Sequence, residues 1–178
     1  QHSAYHFLFA SYGDIHKNFE TVCRAAKLLE KEVGTGKFKV TLTLSGTENR
    51  YARWLYKRWG NVRSIDFAGF MSKERLYGTY AQTDCLIFPS RVETWGLPIS
   101  EFAAYGKPML LADLPYAHET AAGSRQTAFF HPEKPEELKE QMKRLLKGDT
   151  SFLQVIPEND IPQPVTRTWE ELFRLLSD

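Results

Sequence analysis

Between Tyr5 and Leu146 the chain alternates short apolar runs with amphipathic stretches, and this alternation restricts the fold more than any other feature. The runs Tyr5–Ala10, Phe38–Leu44, Val62–Ala68, Cys85–Phe88, Pro108–Ala112 and Thr127–Phe130 are too short for helices and read as strands. Segments 18–33, 48–59, 72–82, 97–105, 116–122 and 135–146 read as the helices between them. In the first of these, Phe19, Val22, Cys23, Ala26, Leu29 and Val33 share one face. Ser72 is placed to cap the third, and Pro135 suits the first turn of the last. Strand–helix–strand order implies right-handed crossovers between parallel strands. The expected fold is therefore α/β: a Rossmann-like, doubly wound parallel sheet of about six strands with helices on both faces. Ligands of such sheets bind beyond the carboxyl ends of the strands.

A chain of 178 residues can bury one sizeable core. The expected organisation is a single domain over 1–178. Its core spans 5–148, a Pro-containing extended segment 149–167, and a terminal helix 168–177 with Trp169, Leu172, Phe173 and Leu176 on its apolar side. With 23 basic and 22 acidic residues the net charge is only +1, which speaks against a nucleic-acid protein. No apolar run approaches the roughly 18–20 residues of a membrane span. Residues before Ala10 lack the basic and apolar regions of a signal peptide. The chain starts at Gln1 and enters a strand almost at once, as a piece cut from a longer protein would. Cys23 and Cys85 have neither metal-ligand nor redox spacing and read as buried thiols of a cytoplasmic protein.

The passage from Pro89 to Glu101 carries the chemistry. It follows a wholly apolar strand and opens a helix, so it lies at the binding edge of the sheet. Gly96 lets backbone approach a ligand closely, and Pro98 suits a first turn. The amide end of that helix would attract a phosphate. Glu101, one turn in, is an acceptor-only group suited to the two hydroxyls of a ribose. Glu93 lies on the loop where a transferred sugar would sit. Two glutamates eight apart are weak alone and become specific in this context; the competing reading is a capped helix with a solvated acidic face.

This segment resembles the E-x7-E signature of retaining, family 4 glycosyltransferases of the GT-B fold, here Glu93 to Glu101. His16-Lys17-Asn18 is similar to that family's phosphate-lysine motif, and Ser45-Gly46-Thr47 and Phe67-Ala68-Gly69-Phe70 end the second and third strands in its manner. Gly106-Lys107-Pro108 and the terminal Trp169-Glu170-Glu171-Leu172 also match its pattern. The resemblance implies the nucleotide-sugar-binding C-terminal half of a two-domain enzyme. Lys17 would hold the diphosphate, as would the backbone from Thr94 and Trp95 through Gly96 and Leu97. Glu101 would bind the ribose, Glu93 the donor sugar or its phosphate, and main chain near Gly46, Phe70 and Met71 would meet the nucleoside. It implies no cofactor and no metal. The acceptor, a sugar, glycan or lipid-linked species, would come from a second, N-terminal domain. An isolated half would bind nucleotide and transfer nothing.

One position departs from the pattern. Tyr12 stands five residues before Lys17, where the family usually has a phosphate-clamping arginine. Tyr12 can donate one hydrogen bond without charge, and Arg91 is a candidate substitute, although a solvated loop arginine is an equal reading. Other signals lead elsewhere. Gly34-Thr35-Gly36-Lys37 precedes a strand, the wrong edge for a phosphate loop. The basic, aromatic stretch 49–63 reads as an ordinary amphipathic helix with a solvated basic side, peripheral contact with the inner membrane face being the lesser reading. His2, His6, His16, His118 and His131 lack ligand spacing, though His118 and Glu119 lie near the expected cleft. Two rival functions share this sheet: a nucleotide-sugar epimerase of the same two-domain fold, and a non-catalytic binding or scaffold domain.

Overall fold

A computed structural model of the chain describes residues 3–158. The expected terminal helix at 168–177 and the extended segment beyond residue 158 lie outside the described residues. Six strands form one parallel sheet: β1 (Tyr5–Phe9), β2 (Phe38–Leu42), β3 (Ile65–Phe67), β4 (Cys85–Phe88), β5 (Met109–Ala112) and β6 (Thr127–Phe130). Five α-helices connect them and a sixth follows β6: α1 (Phe19–Val33), α2 (Arg50–Trp59), α3 (Lys73–Gln82), α4 (Leu97–Ala103), α5 (Pro115–Thr120) and α6 (Pro135–Leu146). A 3-10 turn at Ile15–Lys17 precedes α1. The strand order is β3-β2-β1-β4-β5-β6, the Rossmann-like arrangement in which the chain reverses its direction of travel between β1 and β4.

Apolar content explains the layering. Every residue of β4 and β5 is buried, as strands covered on both faces require. Phe9 packs edge-on against Phe88 across the β1–β4 junction, with ring centroids 5.6 Å apart, and Phe19 of α1 lies 4.5 Å from Phe9. The α1 face expected from spacing is the buried one, with Val33 half-buried at its end. α1 packs on α6 through buried Leu29, Leu138 and Met142.

The expected boundaries shift by a few residues where backbone groups find nearer partners. β3 begins at Ile65 because Val62 and Ile65 amides close turns onto Trp59 and Val62 carbonyls, at 3.0 and 3.1 Å. α4 stops at Ala103 because the Tyr105 and Gly106 amides turn back to Phe102 and Ala103. The segment after α6 does not simply run over the surface. Gln154 and Thr127 exchange both backbone hydrogen bonds (2.9 and 2.8 Å), and Ile156 and Gly123 anchor it further. It thereby covers part of the otherwise open edge of β6.

Candidate active site

A cavity of about 280 Å³ lies at the carboxyl edge of the sheet, where the β1–β4 reversal leaves the strand ends splayed. Ala10, Ser11 and Tyr12 extend β1 into it; Lys17, Glu93 and Glu101 are its charged lining. Phe70, Met71, Leu97 and Pro98 complete its apolar walls together with deeper side chains.

Each charged group is positioned by its own local device. Asn18 adopts a left-handed backbone (φ 60°), a conformation Asn tolerates better than most residues. Its buried amide donates to the carbonyls of Pro89 and Pro132 (3.0 and 2.9 Å), stapling the β1 loop to the β4 loop. Lys17 is thereby brought to Glu93, Nζ to Oε1 2.5 Å, with the two side chains 23% and 13% exposed. Ser90 Oγ donates to the same oxygen at 2.9 Å, and Tyr116 Oη donates to the Ser90 carbonyl, which fixes the loop from below. Glu101 accepts from Tyr80 Oη at 2.8 Å. Burial, then the adjoining Glu101 carboxylate, push the Tyr80 phenol well above the ordinary tyrosine range, so it remains a donor.

The helix after the loop opens on a glycine. Gly96 at its start is left-handed (φ 81°) and supplies no side-chain cap; Pro98 has no N–H and the Ile99 amide bonds the Gly96 carbonyl at 2.9 Å, so the first turn of α4 leaves the Leu97 amide without a side-chain partner. A Cβ there would approach Ile99 Cδ1 to 3.1 Å. By contrast, Asn49 and Ser72 cap α2 and α3 with side-chain bonds to Ala52 and Arg75 amides.

Not all candidate residues converge. Thr94 and Trp95 are exposed on the loop outside the cavity wall, Trp95 Nε1 donating to Ser100 Oγ. The Gly46 amide is already taken by the Glu48 carboxylate, which also accepts from the Ser45 amide and hydroxyl. Arg91 points to Glu133 (Nε to Oε1 2.6 Å) and to the Ile15 carbonyl, away from the cavity lining. Tyr12 lies against Phe70, rings 6.1 Å apart and 21° from parallel, two exposed aromatics at the cavity mouth. Ser90, Tyr80, Asn18 and Tyr116 were not singled out from sequence. Of these only Asn18 carried a signal, a turn-prone residue between a motif lysine and a helix.

No curated protein sequence matches the chain significantly. Solved structures share its fold. Sucrose-phosphate synthase from Thermosynechococcus elongatus superposes with a TM-score of 0.69 at 19% identity, over 86% of this chain and 38% of that one. The catalytic domain of cholesterol-α-glucosyltransferase from Helicobacter pylori gives 0.61 at 14% identity, covering 83% and 91%. A protein described as a UDP-N-acetylglucosamine 2-epimerase from Listeria monocytogenes gives 0.64 at 14% identity, covering 89% and 41%. The chain thus spans less than half the length of the synthase and of the epimerase-like protein. The fold is common to transferase and epimerase alike; the family is decided by sequence, for the glycosyl transferases group 1 model matches residues 2–159, and the chain belongs to that family.

Proposed function

We propose that the chain is the donor-binding, C-terminal half of a two-domain, family 4 type retaining glycosyltransferase that needs no metal. The observation that carries this reading is the convergence of Lys17, Glu93 and Glu101 on one cavity at the β1–β4 reversal. A volume of about 280 Å³ falls below the roughly 300–1,000 Å³ that encloses a drug-sized ligand. One wall of a cleft would have that size, the second domain supplying the other wall and the acceptor.

Each lining group has a chemical part in this scheme. The nucleotide's diphosphate would lie between Lys17 and the start of α4 with its Leu97 amide, with Lys17 moving from Glu93 to phosphate. A lysine fixed there would stabilise charge growing on the leaving diphosphate. Glu101, its Oε2 held by Tyr80, would offer Oε1 to the ribose hydroxyls. Glu93, oriented by Ser90, would face the transferred sugar. Arg91 is committed to Glu133 and is a poor replacement for the clamp absent at Tyr12, which leaves Lys17 as the one cation lining the cavity among the described residues.

Calorimetric titration of UDP, GDP and ADP into the chain and into Glu101→Ala tests the reading. One of the three nucleotides should bind measurably and weaken at least roughly tenfold in the variant, the cost of one or two charge-assisted hydrogen bonds. A scaffold would bind none of them, and sugar transfer by the chain alone would overturn the half-site argument.

A further inference from the structure

Outside the cavity, the most unusual surface is α2. Its ten residues include four bases and no acid. Arg50, Arg53, Trp54, Lys57 and Arg58 follow helical spacing along one exposed face, while Ala52, Leu55 and Trp59 on the other side are buried. Lys57 and Arg58 sit in the last turn, where the helix dipole favours a cation, but the first half of the face raises the energy of its own helix. Arg50 occupies the first turn, where the helix dipole disfavours a cation, and like charges three and four residues apart repel.

Among the described residues only Arg58 finds relief, its guanidinium lying 5.8 and 5.2 Å from the Trp54 and Trp59 ring centroids. Among the described residues none of the four forms an ion pair, whereas Lys17, Lys39, Arg91, Lys139, Lys143 and Arg144 all do. Two nearby carboxylates have other partners than these bases: Glu48 holds the Ser45 and Gly46 amides, and Glu20 accepts from Tyr51 Oη at 3.0 Å. Three bases, Arg50, Arg53 and Lys57, left uncompensated among the described residues point to an external partner.

We infer that the exposed face of α2, centred on Trp54, docks on a membrane surface rich in anionic lipid headgroups. Charge complementarity selects an anionic partner, and Trp54 selects a lipid surface over a nucleic acid. Its ring lies 6.0 Å from Tyr51, nearly parallel, and the Arg58 guanidinium lies 5.8 Å from its centroid. A base would find no open stacking platform there. An indole 41% exposed among cations is suited to the headgroup boundary, where apolar body and polar edge are both satisfied. This matches the absence, among the described residues, of any helix long and apolar enough to cross a membrane: the contact is peripheral. Asn49 Nδ2 donates to the Gly13 carbonyl at 2.6 Å, tying the start of α2 to the loop that carries Tyr12. One end of the docking face therefore lies at the carboxyl edge of the sheet.

The test is co-sedimentation of the 178-residue chain with vesicles of phosphatidylcholine alone or mixed equally with phosphatidylglycerol. Binding is expected only to the anionic vesicles and should fall steeply between roughly 0.05 and 0.5 M salt. The variant Arg50→Ser, Arg53→Ser, Lys57→Ser, Arg58→Ser should lose at least roughly tenfold in partitioning, and Trp54→Ser a few-fold. A charge-matched variant, Lys27→Ser, Lys31→Ser, Lys134→Ser, Lys147→Ser, should stay within about threefold of the parent. Circular dichroism confirms that each variant is folded. Equal losses in the two quadruple variants, equal binding to uncharged vesicles, or tighter binding to single-stranded DNA or polyglutamate than to the anionic vesicles would each overturn the inference.

Discussion

Glu32 and Glu93 are both glutamates paired with lysine, in two regions built for opposite purposes. Glu32, near the end of α1, bridges Lys139 and Lys143 of α6 at 2.8 and 3.0 Å on the outside of a packed helix seam. Hydrogen bonds from the two lysines hold its carboxyl below the usual range, yet the group is solvated. Beneath it Leu29, Leu138 and Met142 are fully buried, and they hold the seam together. Glu93 meets Lys17 over a cavity instead of a core, with both groups partly desolvated and an uncapped helix next to them. Charge is dispensable where apolar contact already decides the packing. Where charge gathers over a void, packing gives it no purpose, and the proposed ligand would.

The strongest way to break that contrast is to attack each region where it should be weakest. Leu29→Ala empties a fully buried site in the seam and should cost about 3 kcal/mol, read from urea unfolding, with little change in nucleotide affinity of the folded protein. Lys17→Ala should do the reverse: nucleotide affinity falls roughly 10- to 100-fold while stability moves by about 1 kcal/mol or less. If Lys17→Ala unfolds as easily as Leu29→Ala and still binds nucleotide, the cavity pair is structural and the contrast fails.

Gly96→Ala probes the border between the regions. A left-handed φ of 81° strains any Cβ-bearing residue, and the new methyl would crowd Ile99. A loss of about 1–2 kcal/mol in stability is expected, with weaker nucleotide binding. Glu32→Gln should leave the urea midpoint of unfolding almost unchanged, despite removing two ion pairs, because the carboxylate is solvated.

These contrasts also explain what could be read before the fold was known. Strands β4 and β6 and helix α6 are where the apolar pattern and Pro135 placed them, since local period and burial agree there. That Glu93 and Glu101 would sit together was legible from a strand end and a helix start, and Lys17 from its likeness to a phosphate-lysine motif; the three do line one cavity. The supporting contacts were not. Tyr80 reaches Glu101 across 21 residues and Asn18 reaches Pro132 across 114, separations over which one sequence carries no signal. Arg91 illustrates the same limit: its residue type suited phosphate, but Glu133, 42 residues on, had the nearer carboxylate.

Glu48 falls between the two regions and gives the finest test. It is exposed like Glu32, yet it occupies backbone amides as a ligand would, accepting from Ser45 N, Ser45 Oγ and Gly46 N at 2.5, 2.6 and 3.1 Å. Burial resists its ionisation, and these hydrogen bonds outweigh that, drawing the carboxyl from 4.5 down to about 2. A folded value below the unfolded one means the contribution is complete above about 4.5 and vanishes as the pH falls through about 2. Glu48→Gln keeps the shape and removes the charge, so the variant should be less stable than the parent at neutral pH and converge with it in acid. Solvent screening keeps the gap below about 1 kcal/mol. Urea midpoints measured from pH 7 to pH 2 would show the two curves closing over that window. A gap that stays constant with pH would mean that the carboxylate's charge contributes nothing to the turn, and that Glu48 belongs with Glu32 after all.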